Sequence, residues 1–95
     1  MDDKELYREK LEAKFKEMKA RVELLEAKAA QVKAESKLEF QKHLDELRQK
    51  RDAVQGKLEE VKKSGGEAWH DLRSGMEKAA EELKQAIDRA MDKFR

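Results

Sequence analysis

An all-α protein is predicted by three features of the chain. It contains no proline, nearly half of its residues are charged, and its apolar residues recur at helical rather than strand spacing. Charged residues make up 47%, hydrophobic ones 38% and aromatic ones 5%, the profile of a coiled coil or long helix. The net charge is only +1, so the chain does not strongly repel itself as a charged disordered segment would. So few large apolar residues argue against a deep core within a single chain. The expected architecture is a long coiled-coil-forming helix over 1–63, a Gly-Gly hinge over 64–66, and a shorter amphipathic helix over 67–95. Together these make a helical hairpin or a bent rod.

The first helix is expected to run from Asp3 to Lys63. Tyr7, Leu11, Phe15, Met18, Val22, Leu25, Ala29 and Val32 recur at steps of three and four, which places them on one helical face. Leu11 to Val32 keep a heptad seam. Ser36, Phe40, Leu44 and Leu47 then pass through an eleven-residue interval, and heptad spacing returns with Val54, Leu58 and Val61. Such changes of period locally relax a supercoil. Acid-before-base pairs four apart, among them Glu12 and Lys16, Glu17 and Arg21, and Glu46 and Lys50, support the helix from its charged face. At 1.5 Å per residue it would be a rod of roughly 90 Å. A lone helix of that length cannot cover its own seam, so Leu11, Phe15, Met18, Val22, Leu25, Phe40, Leu44, Leu47, Val54, Leu58 and Val61 are expected to pack against a partner.

The hinge rests on Ser64-Gly65-Gly66-Glu67, which matches a capping box just before an apolar run. Lys62 and Lys63 stand where cations favour a helix C-terminus. Against a break, an eleven-residue repeat passes through the glycines in phase. Val61, Leu72, Leu83 and Phe94 share one of its positions, Gly65, Met76 and Ile87 a second, and Leu58, Trp69, Ala80 and Met91 a third. The cap and charge signals together favour the break. Beyond it, Trp69, Leu72, Met76, Leu83, Ile87, Met91 and Phe94 form a nearly straight apolar stripe. If the hinge closes, this stripe lies antiparallel on the second half of the first helix. The first half would still expose its seam, so even the hairpin is expected to self-associate.

Candidate chemistry is sparse. Glu67 and His70 have the spacing that supplies ligands to di-metal carboxylate bundles, but His70 falls opposite the stripe and reads as a solvated histidine. Ser36, Ser64 and Ser74 stand in no nucleophile elbow, and the glycines form no phosphate loop. No enzyme activity, cofactor or metal is expected. The absence of cysteine excludes disulfides and fits a reducing compartment. The acidic start lacks the apolar core of a signal peptide, so a cytoplasmic location is expected. Near-neutral charge, with acids beside the basic clusters at 48–51 and 62–63, argues against a nucleic-acid partner. The stripe can be covered by protein, either a second copy or another helical protein, or by a membrane surface. Three alanines and a charge balance that is not basic favour protein.

Nearly the whole chain resembles a group of small bacterial coiled-coil proteins, some labelled stress-response proteins. The likeness is carried by "LEFQKHLDELRQKRDAVQGKLEEVKKSGGEAWHDLRSGMEKAAEELKQAI", notably the "SGGEAW" junction, Leu72, Gly75 and Leu83, and by the short "DKFR" end. Where this chain has Ala80, many of those proteins have a second aromatic, so the stripe here is thinner. The eleven-residue pattern is also similar to that of exchangeable apolipoproteins and late-embryogenesis-abundant proteins, as shared physics. The bacterial resemblance implies no catalytic residues. It implies homo-oligomeric coiled-coil assembly in a stress-related or scaffolding role. The alternatives are a peripheral membrane protein that binds lipid through 67–94, or an adaptor for one protein partner.

Overall fold

The computed structural model describes residues 2–94 and is all-helical: α1 (Asp3–Ala29), α2 (Ala34–Lys63) and α3 (Trp69–Lys93). They form an up-down-up bundle of 52 × 19 × 17 Å, with α2 against both neighbours and α1 and α3 least in contact. No strand occurs among the described residues, and no described helix is long and apolar enough to cross a membrane.

The single helix expected over 1–63 is two helices. Asp2 caps α1 by accepting from the Glu5 amide at 2.8 Å. The helix then tightens, with the Gln31 and Val32 amides reaching back three residues to Lys28 and Ala29. Lys33 is extended, at φ −65° and ψ 151°, and makes no side-chain cap for α2. Nothing in residues 30–33 forbids a helix, since they include neither glycine nor proline. The break is decided by burial. Helix propensity separates ordinary residues by tenths of a kcal/mol, whereas covering one Leu or Phe stabilises by about 1.5–3 kcal/mol. Folding back covers Leu11, Phe15, Val22, Leu25 and Ala29 in one step.

A single-chain core therefore exists, contrary to the compositional expectation. Of the seam residues, Leu11, Phe15, Val22, Leu25, Leu44, Leu47, Val54, Leu58 and Val61 are buried in it, while Met18 and Phe40 are half-buried. The cover assigned to a partner is supplied by the chain itself, which removes the reason given for obligatory self-association. Ion pairs join α1 to α2 above this core: Glu26 with Arg48 at 2.8 Å and Glu12 with Lys62 at 3.1 Å.

The glycine pair lies in a turn over residues 64–68, and Gly66 adopts the left-handed conformation at φ 56°. The capping box is not formed. Ser64 is instead the C-cap of α2, its hydroxyl donating to the Val61 carbonyl at 2.7 Å. The N-cap of α3 is Ala68, without a side-chain hydrogen bond, and α3 begins at Trp69 rather than Glu67. The Lys4 ammonium donates to the Ser64 carbonyl, tying the start of α1 to this turn. The serine serves the preceding helix because Gly66 reverses the chain before the next amide donors can line up with it. Gly66→Ala is expected to destabilise by about 1 kcal/mol, the cost of placing a Cβ in the left-handed region. Gly65→Ala, where an added Cβ meets nothing within 4 Å, should be neutral or stabilise by about 0.4–1 kcal/mol. Thermal melts of the two variants check the difference.

Helix α3 returns antiparallel along α2, as the hairpin reading expects. Trp69, Met76, Leu83 and Ile87 are buried; Leu72, Met91 and Phe94 are half-buried. Ala86 and Ala90 are buried as well, and they let α3 approach its neighbours closely. Phe94 stacks on Phe40 with ring centroids 4.1 Å apart.

Candidate functional site: the groove between α1 and α3

The weak contact between α1 and α3 leaves a trough with a volume of about 790 Å³. Along α1 it runs from Asp3 to Arg21, and along α3 from Trp69 to Lys84. By helical rise these are roughly 27 and 22 Å, the length of about four to five helical turns. Its apolar lining comes from Leu6, Tyr7, Leu11, Met18, Trp69 and Ala80. Leu6 is 45% exposed, a large apolar side chain that the fold leaves open to the trough. The small Ala80 holds the middle of the trough open. Charges of both signs line its sides, among them Lys10, Lys14, Arg73 and Lys84 with Glu17 and Glu77.

One end is closed by an aromatic and charged cluster. The Tyr7 and Trp69 rings lie 5.4 Å apart at 35°, and Trp69 is only 4% exposed. The Arg73 guanidinium sits 4.8 Å over the Tyr7 ring while its Nε pairs with Glu77 Oε1 at 3.1 Å. The Tyr7 hydroxyl points to the same carboxylate at 3.5 Å. Trp69 thus anchors α3 on α1 as well as completing the hairpin. Sequence reasoning puts Tyr7 on the apolar face of the first helix, ahead of the heptad seam, and does not pair it with Trp69. The only signal available was the seam phase, which assigns a face and names no partner.

Burial pushes the Tyr7 phenol above its ordinary value of 10, Glu77 adds to the rise and Arg73 opposes it. The folded state therefore favours the neutral phenol. Its contribution to stability is fully present below the unfolded value and is lost as pH rises through the folded one. Tyr7 is the chain's one tyrosine, so absorbance of the phenolate reads it alone. Its titration is expected above pH 10, higher again in Arg73→Ala and lower in Glu77→Gln.

Glu67 and His70 do meet, Oε2 to Nε2 at 2.7 Å, but as an exposed pair beside the turn. No group of His, Asp or Glu among the described residues is arranged to hold a metal. His70 also lies against Trp69, ring centroids 3.9 Å apart, at the rim of the trough.

Fold and groove define a small three-helix bundle with an open trough between α1 and α3. Compared with family models, curated proteins and solved structures, the chain has no match among any of the three.

Proposed function

We propose that this protein is a non-enzymatic helical interaction module whose α1–α3 groove receives an amphipathic helix from a protein partner. One observation carries the reading: an apolar trough several helical turns long, flanked by both signs of charge, with Leu6 left 45% exposed in its wall. An incoming helix would lay its apolar face on Leu6, Met18 and Ala80 and set its charged flanks against Lys14, Glu17 and Lys84, completing a four-helix arrangement. A trough this long and open suits a helix better than a small molecule, for which most of the ligand surface must be enclosed. The stress-related or scaffolding role implied by the bacterial resemblance belongs to the same proposal.

Lipid is the second reading, and the amphipathic character of α3 favours it. That face, however, is already buried in the bundle, so lipid binding would require the bundle to open. The test is a photoreactive benzophenone residue at position 80, in the trough, compared with one at Gln49 on the exposed face of α2, in the cells that make the protein. A discrete protein adduct is expected at 80 alone, reduced about tenfold or more when Met18 is replaced by Lys, because a charge then lies under the incoming apolar face. Equal labelling at both positions would refute the groove. Lipid adducts, with flotation on anionic vesicles, would transfer the function to the membrane.

A further inference from the structure

We infer that two copies of this chain exchange α1 by straightening residues 30–33, forming an antiparallel dimer of continuous helices over 3–63. The first ground is the connection itself. Ala30 is already helical at φ −64° and ψ −20°, the amides of Gln31 and Val32 are bonded back into α1, and Lys33, extended in ψ, keeps a helical φ of −65°. The only positive φ among the described residues is at Gly66, far from this turn. Straightening restores helical hydrogen bonds and meets no glycine, proline or side-chain cap that would resist it.

The second ground is phase. A turn places no constraint on how the faces of its two helices relate. Yet on a continuous helix the buried residues of α1 (Leu11, Phe15, Val22, Leu25, Ala29) and of α2 (Leu44, Leu47, Val54, Leu58, Val61) fall within one arc of roughly 100°. Val32, Ser36 and Phe40 carry that arc across the break, and all three are only half-buried in the single chain.

The third ground is register. The α1–α2 pairs Glu12–Lys62 and Glu26–Arg48 are centred on Lys37, Glu26–Arg51 lies between 38 and 39 and Lys4–Ser64 on residue 34, all beyond the turn at 30–33. The first turns of α2 therefore run past the end of α1. Two straight helices crossing antiparallel at Lys37 remake both pairs between copies, return each α1 to the same site on the partner's α2 and α3, and lay residues 30–43 of the two copies against each other. The exchange keeps the core of the single chain and adds cover for Val32, Ser36 and Phe40. Such an interface is isologous and closed, and exchange of an identical element is a low-cost route to it.

The test combines chain mass and connectivity. Because the chain has no cysteine, a Glu26→Cys, Arg48→Cys variant joined by a short bismaleimide reports connectivity cleanly. After refolding at high concentration, light scattering on the column eluate should show a dimer in which position 26 of one copy is joined to position 48 of the other. Lys33→Pro matches the φ of −65° in the single-chain turn but cannot continue a helix. It should lower the dimer association constant by more than about a hundredfold while the monomer keeps its helicity and its melt. A chain that stays monomeric at all concentrations would overturn the exchange. So would a dimer whose cross-links lie within each copy, because each α1 then stays on its own α2. If Lys33→Pro fails to fold, the cross-link connectivity of the Glu26→Cys, Arg48→Cys chain with Lys33 in place still decides.

Discussion

Leu83→Ala is expected to cost about 3 kcal/mol, within the 2–5 kcal/mol typical of emptying a well-packed leucine site. Leu83 is 0% exposed at the middle of α3. A chain of this size has a total stability of about 5–14 kcal/mol, so the loss is a large fraction of it and should lower the melting temperature by on the order of 15 °C. Leu24→Ala provides the comparison with the same chemistry: Leu24 is 49% exposed, and its loss should stay within about 0.5 kcal/mol. If both variants melt alike, the single-chain core is wrong. Burial of the seam would then have to come from a second chain, and the melt would depend on protein concentration.

Trp69→Ala should be at least as costly, at about 3–5 kcal/mol. The indole is 4% exposed and packs at a tilt against Tyr7, a contact that double-mutant analysis would place at about 0.5–1.5 kcal/mol beyond its area. Native tryptophan emission is expected to be blue-shifted and to move to the red on unfolding. Trp69→Phe should recover part of the loss, because an aromatic remains to pack on Tyr7. A cost below 1 kcal/mol for Trp69→Ala would mean that α3 is not anchored on α1 at this end. The aromatic end of the groove would then be lost along with it.

The trough itself was not legible in the sequence. Tyr7, Leu11, Met18 and Trp69 were each assigned to an apolar face, but their convergence depends on α1 and α3 running side by side. Ala80 stood out only as a thin spot in a stripe. Between two parallel helices it becomes the reason that a space exists. From the sequence alone the charges lining the trough are solvated flanks, and locally that is what they are. Long-range pairs such as Glu26–Arg48 are equally absent from any local pattern, since a periodicity of three and four says which face a residue takes and not what faces it.

Two errors share one cause. The uninterrupted helical phase through residues 30–33 made a single helix the natural reading, and a capping box at Ser64 made a helix start there. In both places local preference is worth tenths to about one kcal/mol, and the tertiary structure outweighs it by burying whole side chains. The phase that misled the helix boundary nevertheless retains physical content, because it is what an exchanged dimer would use.

By itself the sequence determined the all-helical class and the apolar face of each helix, and it favoured an interruption at the glycine pair while leaving a hairpin and a bent rod both open. These follow from spacing and from the backbone freedom of glycine, which act over a few residues. Only the tertiary structure decided that α1 folds back at residues 30–33, that the core closes within one chain, and that α1 and α3 stand far enough apart to leave a groove. Those outcomes depend on how much apolar surface each arrangement removes from water, a property of the assembled helices that no single segment carries.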